Sequence, residues 1–265
     1  MHGDVRHCAG PTHRKKTLSK KTDDVEGIER ATAAAVSPQA LEEREGWLLA
    51  FDSGTVNRAK SAAPLQHADA DPSVVGRIEA CYLGRGLAPL FRLANARCFD
   101  ALRQELTRRG YRAERPTLVQ TAAVQAMRGV SVCTPADIDA SPDVAWAALF
   151  LGDGVDPVDG AGRVAALSRA PGAVYASVRE GGQTVAAGAA VFSHGWASVH
   201  GMRTDPAWRG RGMAGRILAA LAGSAEARGT TRCFLQVEAG NNAAQALYRR
   251  AGFETAWCYD YWRRA

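Results

Sequence analysis

The stretch from Met202 to Gly215, Met-Arg-Thr-Asp-Pro-Ala-Trp-Arg-Gly-Arg-Gly-Met-Ala-Gly, joins a strand-like segment to a helical one through glycines and constrains this chain more than any other. The first backbone N–H groups of a helix have no partner inside it, and glycines let an anion approach them with no side chain in the way. Arg209, Arg211 and Arg216 add positive charge to the same place. The stretch therefore reads as an anion cradle built from Arg209, Gly210, Arg211, Gly212, Met213, Ala214 and Gly215.

Gly210, Gly212 and Gly215 also spell Gly-x-Gly-x-x-Gly, the dinucleotide fingerprint, with Glu238 further on. Those glycines should follow an apolar strand directly and open a half-domain with more strands to come. Here the charged, proline-bearing Arg203-Thr-Asp-Pro206 intervenes, and too little chain follows Glu238 to complete such a half.

At 265 residues the chain suits one large domain or two ordinary ones. Its 46% apolar and 23% charged residues are those of a soluble globular protein, with no apolar run as long as a membrane span requires. Net charge is +6, but the segment Arg14 to Lys21 alone holds five positive charges. Such a tail reads as a solvated, disordered extension rather than a nucleic-acid or membrane anchor. The six cysteines show no Cys-x-x-Cys and no zinc-like spacing, so no metal is expected, and scattered thiols of this kind suit the reducing cytoplasm.

Along the chain, the pattern predicts a helix over Ile28 to Ala35 and then a hairpin of Trp47 to Phe51 with Val56 to Ala59 about Asp52-Ser-Gly-Thr55. A helix over Val74 to Leu83, a strand at Leu90 to Leu93, a helix over Cys98 to Arg109 and a strand over Thr117 to Ala123 complete the first half. A helix start is expected at Thr134-Pro135, with helical pieces at Asp143 to Leu151 and Gly162 to Ser168. Between them Gly152 to Gly160 is an acidic, glycine-rich loop, either a substrate lid or a plain surface connection. The period then changes to two, and Val174 to Val178, Thr184 to His194 and Trp196 to Arg203 read as an antiparallel meander. A helix with Ile217, Leu218, Leu221 and Ala225 on one face follows the glycines, then a strand at Cys233 to Val237, a helix over Asn242 to Arg250 capped by Asn241, and a last strand from Thr255 to Trp262.

The pattern Arg209-x-x-Gly212-x-Ala214, with Val237-x-x-x-Asn241-x-x-Ala244-x-x-Leu247-Tyr248-x-x-x-Gly252-Phe253 after it, resembles the two signature motifs of the GNAT superfamily of N-acetyltransferases. The resemblance covers about Val174 to Trp262. It implies an α+β GNAT fold, a mixed, mostly antiparallel twisted sheet flanked by helices. The first half repeats the order of elements without the glycine loop, which divides the chain into a disordered basic tail (1–26), a degenerate GNAT-like domain (27–127) and a catalytic domain (128–265), two tandem halves in all.

The resemblance further implies acetyl-CoA as co-substrate and direct attack by a primary amine of a small molecule or peptide in a ternary complex. Met202, Arg203 and Thr204 match the segment that pairs with the pantetheine amides, Asn241 a side chain that contacts the cofactor, and Tyr248 the general acid that protonates the departing thiolate. The attacking amine must also lose a proton, since a lysine-like ammonium has a pKa of about 10.4. Gln236 and Ser198 stand where some members carry a catalytic glutamate, which leaves His200, or water relayed through Glu238, as the base. The same departures support an alternative, a non-catalytic acyl-CoA-binding sensor or interaction protein. No membrane or nucleic-acid partner is expected, a homodimer is compatible, and the shape of the acceptor site falls to the Gly152 to Gly160 loop and to the face of the first half.

Overall fold

The computed structural model describes residues 24–152 and 155–264. The basic segment Arg14 to Lys21 lies outside the described residues. In chain order come α1 (Val25–Val36), β1 (Ala40–Arg44), β2 (Trp47–Phe51), a 3-10 turn (Asn57–Lys60), β3 (Ala62–Pro64), α2 (Val74–Leu83), β4 (Leu90–Ala94), α3 (Asp100–Arg108) and β5 (Tyr111–Ala123). Then follow α4 (Val124–Arg128), β6 (Asp137–Asp139), α5 (Val144–Ala148), α6 (Pro157–Ser168), β7 (Val174–Glu180), β8 (Gln183–Ser193), β9 (Trp196–Thr204), α7 (Met213–Glu226), β10 (Arg232–Glu238), α8 (Asn242–Arg250) and β11 (Glu254–Arg264).

Two expectations fail for local reasons. The hairpin partner of β2 is β1, because Glu45 and Gly46 both take positive φ, 50° and 77°, and so form the two-residue turn whose twist matches paired strands. The segment expected to pair with β2, Val56 to Ala59, instead winds into the 3-10 turn. The expected helix start at Thr134-Pro135 is likewise absent: β6 follows and pairs with β7. Helix α6 begins earlier than expected, with the Asp156 carboxylate accepting from the Asp159 N–H at 2.8 Å and Pro157 in the first turn.

All eleven strands form one sheet, in the order β1-β2-β3-β4-β11-β5-β10-β9-β8-β7-β6. The pairing is antiparallel except at β3 with β4 and β9 with β10. The order is close to a palindrome. In each half a parallel pair leads inward to the final strand of the other half: β11 lies between β4 and β5, and β5 lies between β11 and β10. The long β5·β11 ladder, from Glu254 opposite Thr121 to Arg264 opposite Tyr111, is the seam.

Alternation along the strands sorts the core into two layers. Cys233, Leu235 and Val237 of β10 pack with Ala197 and Val199 of β9 under α4, α7 and α8. Phe234 and Trp196 point to the other face, where α1 lies with Ile28 and Ala31 fully buried. Trp146 of α5 and Leu167 of α6 extend that layer over β7 and β8. Inside it, Glu29 of α1 takes both guanidinium arms of Arg92 on β4, one at 3.0 Å, and both residues are buried. This pair ties α1 to β4 by a bidentate contact that leaves neither charge uncompensated.

Candidate active site

After β9 the Asp205 carboxylate accepts from the Ala207 N–H at 2.8 Å, and the chain makes a 3-10 turn at Pro206–Trp208. Gly210 and Gly212 then take φ of 75° and 81°, the left-handed region where other residues are strained, and Gly212 is the residue before α7. A Cβ built at either position would meet no protein atom within 4 Å. Gly215 and Arg216 donate to the Gly212 carbonyl at 3.0 and 3.2 Å, while the N–H groups of Met213 and Ala214 find no acceptor among the described residues. The result is a helix N-terminus with two free donors behind an open glycine floor, which fits a pyrophosphate.

A groove of about 540 Å³ runs past this floor. The structure brings Met202, Arg203, Thr204, Arg209, Gly210, Gly212, Met213, Ala214, Gly215, Asn241 and Tyr248 together along it. Arg211 does not line the groove; its guanidinium lies over the Trp208 ring, 4.9 Å from the centroid. Arg216 is a correction. It turns away to donate to the Thr134 carbonyl at 2.7 Å and to pair with Glu180, so it brings no charge to the glycines.

The helix after the other parallel strand offers a contrast. At the start of α2 the N–H groups of Val74 and Val75 already bond the carbonyls of Asp71 and Pro72, at 3.1 and 3.2 Å. The Asp71 carboxylate also accepts from the Ser73 N–H at 2.9 Å. Donors that are spent and capped by a carboxylate cannot hold an anion.

Strands β9 and β10 pair only from Ala197 with Cys233 to Val199 with Leu235, then separate. A bulge lies in β9 on its β8 side at the same level: between the pairs Ala189 with His200 and Ala187 with Arg203, Gly188 faces both Gly201 and Met202. A second cavity, of about 440 Å³, opens on the α1 side of this gap. Met202, Arg203, Asn241 and Tyr248 belong to the walls of both cavities, so the two meet through the sheet.

Tyr248 sits at that junction. Its ring is buried against Phe253, with centroids 5.9 Å apart, and burial pushes its pKa up to about 12. The hydroxyl is protonated at neutral pH and has no hydrogen-bond partner among the described residues. Asn241 caps α8, its Oδ1 accepting from the Ala244 N–H at 3.1 Å, while lining both cavities. Capping and ligand contact are compatible there.

On the α1 face of the gap, His200 is only 4% exposed, and its Nε2 is buried without a partner. Burial, helped by the nearby Arg58 charge, lowers its pKa to about 3. Such an imidazole is neutral and weakly basic, a poor acceptor for a proton. Glu238, exposed at the end of β10, lines the same cavity. Ser198 is buried and donates to the Val191 carbonyl at 3.1 Å. Gln236 donates to Thr32 Oγ1 at 2.9 Å and accepts from Tyr259 at 2.9 Å and from Arg58 at 3.4 Å.

Sequence reading did not find Arg58, Arg115, Tyr259 or Tyr261, all of which line the second cavity. They come from the 3-10 turn and from the β5·β11 seam, and nothing in a local pattern tells that these segments meet. Asp156, from the stretch expected to be a loop over 152–160 but helical from Pro157 onward, lines this cavity together with Thr55 and Arg58 of the first half.

Residues 22–262 match the family described as "Probable histone acetyltransferase Rv0428c C-terminal". No curated protein matches the chain. Among solved structures, the fold is similar to a GCN5-related N-acetyltransferase from Kribbella flavida (TM-score 0.66, 15% identity, covering 91% of this chain and 95% of that one). It is also similar to a putative GNAT-family acetyltransferase from Novosphingobium aromaticivorans (0.54, 19%, 90% and 99%). A GCN5-related N-acetyltransferase from Sphaerobacter thermophilus is a further match (0.53, 17%, 91% and 92%). With this fold, two signature motifs on the elements they require and a family match across nearly all the described residues, the chain belongs to the Rv0428c C-terminal family of the GNAT superfamily.

Proposed function

We propose that the protein transfers an acetyl group from acetyl-CoA to a primary amine of a small molecule or peptide by direct attack in a ternary complex. The observation that carries this reading is the meeting of two cavities through the gap between β9 and β10, with Tyr248 on the wall of both. When bound, acetyl-CoA supplies an activated thioester. Gly210, Gly212 and the N–H groups of Met213 and Ala214 hold its pyrophosphate, with Arg209 adding charge. The edge of β9 at Met202 to Thr204, left without a strand partner on the β10 side, meets the pantetheine amides. Tyr248 donates its proton to the departing sulfur, and the amine's proton leaves through water held by Glu238. His200, neutral in its buried site, does not store the proton.

The same reading treats residues 27–127 and 128–265 as tandem halves, only the second of which holds cofactor. The near-palindromic sheet order supports this, as do the spent donors at the start of α2. The described cysteines are free, which suits the cytoplasm, and no helix among the described residues is long and apolar enough to cross a membrane.

Release of CoA thiol from acetyl-CoA in the presence of an amine panel tests the proposal. Amine-dependent release is expected. Tight acetyl-CoA binding with no release for any amine would favour a non-catalytic acyl-CoA sensor, the reading that Gln236 in place of a glutamate supports.

A further inference from the structure

The second cavity is rich in guanidinium groups that the protein itself does not neutralise. Arg58 reaches it from the 3-10 turn; its Nε is fully buried without a partner, and its only hydrogen bond among the described residues is the long 3.4 Å contact to Gln236. Arg203 enters from β9, and among the described residues its side chain donates only to the Leu149 carbonyl, at 3.3 Å. Arg115 stands at the rim on β5, where the register against β11 shifts between Tyr259 and Tyr261. It takes a φ of 53°, a strained conformation for a side-chain-bearing residue. No carboxylate among the described residues lies within ion-pair distance of these three side chains.

The acidic groups nearby are mostly engaged. Asp159 pairs with Arg163 at 2.7 Å, and Asp156 accepts from the Asp159 N–H. Glu238 is the carboxylate of this cavity that takes no hydrogen bond and no ion pair among the described residues. Gln236, which touches Arg58, and Glu238 lie on one face of β10, about 7 Å apart by the rise of a strand. The wall thus offers a cation deep under α1 and an anion at the end of β10, toward the junction with the cofactor groove. A half-buried guanidinium is stabilised most by a planar anion that takes both arms, and it is the side chain suited to that contact.

We infer that the amine acceptor carries a carboxylate a few bonds from its nitrogen, a free amino acid or similarly short amino acid derivative, with Arg58 holding the carboxylate and the amine directed toward Glu238. The inference rests on the transferase reading above and adds the acceptor's class to it. It also gives the first half a purpose, because Arg58 belongs to residues 27–127 and acceptor choice is then made by the half that lacks the cofactor loop.

The test compares L-leucine, L-phenylalanine, L-glutamate and L-lysine with their carboxamides as acceptors, read by CoA thiol release. In parallel, N-acetyl-L-leucine and N-acetyl-L-leucinamide are titrated calorimetrically onto the CoA-bound protein. Amidation lowers the amine's pKa and so favours reaction of the amide; a preference for the acid runs against intrinsic reactivity. A preference of about 10- to 100-fold for the acid is expected in both measurements, the range for a charge-assisted hydrogen-bonded contact. Arg58→Gln should bring the ratio near one, and Arg58→Lys should keep part of it. Equal or better use of the amides, or turnover confined to lysine peptides with blocked ends, overturns the inference and leaves the transferase reading standing. Preferential binding of N-acetyl-L-leucine with no thiol release upholds the carboxylate site and defeats the transferase reading. No binding or turnover of any of these probes overturns the inference.

Discussion

Tyr259 donates its hydroxyl hydrogen to Oε1 of Gln236 at 2.9 Å, so a residue of β11 orients the amide that stands at the gap in the sheet. The same oxygen faces Arg58, and the amide nitrogen is committed to Thr32. Gln236→Glu would place a carboxylate against Arg58 and neutralise the cation from within. The acid-over-amide preference should then fall about tenfold or more, a change read from the ratio of kcat/KM values. An unchanged ratio would mean that Arg58 does not meet the acceptor.

Tyr248→Phe removes one oxygen and keeps the ring against Phe253. If the hydroxyl protonates the departing sulfur, the chemical step should slow by roughly 10²–10⁴-fold while acetyl-CoA affinity changes little. Single-turnover measurement reads the chemical step directly. A Phe variant with wild-type single-turnover rate would hand the proton to water.

At Gly212 a side chain would enter the open floor of the groove and would also have to adopt a φ of 81°. Gly212→Val should therefore lose acetyl-CoA binding and, without ligand, lose about 1–2 kcal/mol of stability from the left-handed conformation alone. Calorimetric titration and denaturant unfolding separate the two effects. Unchanged affinity in the folded variant would remove the pyrophosphate from this loop.

Titration of acetyl-CoA should give one site per chain. The first two N–H groups of α2 are bonded to Asp71 and Pro72, whereas those of α7 are open. Two equivalent sites would show that capping by Asp71 does not block an anion.

His200 makes stability depend on acid. Its native pKa of about 3 lies below the ordinary value of about 6.5, so between them the unfolded chain binds a proton that the native chain refuses. Stability from this group is complete above about pH 6.5 and falls as pH drops toward 3, by up to about 1.4 kcal/mol per pH unit. His200→Gln should flatten that part of the curve, checked by denaturant midpoints at several pH values. Parallel curves for the two proteins would place the acid sensitivity elsewhere.

The groove past the glycines was legible in the sequence because its parts are local. Gly212 and α7 are adjacent in the chain, Asn241 and Tyr248 share one cap and one helix, and these patterns survive without knowledge of the tertiary fold. The second cavity was not legible, because Arg58, Gln236 and Tyr259 are far apart in the chain and meet only through strand exchange. Position 58 also falls in a segment whose alternation suggests a strand, and the better turn at Glu45 and Gly46 decided otherwise. Arg216 was misassigned for a related reason: Glu180 and the Thr134 carbonyl, distant in sequence, compete for its charge.

The crossing of β5 and β11 has a consequence for how the protein is made. When residues 40–123 leave the ribosome, β4 and β5 have no neighbour to join them, for the strand that lies between them is β11. Contacts of such long sequence separation form late, and unpaired strand edges are exposed until they do. The first half therefore emerges as an open sheet, and the second cavity lacks Tyr259 and Tyr261 until the second half has been synthesised. A nascent chain stalled before β11 can present the glycine cradle of α7, yet the cavity beside it still lacks a wall.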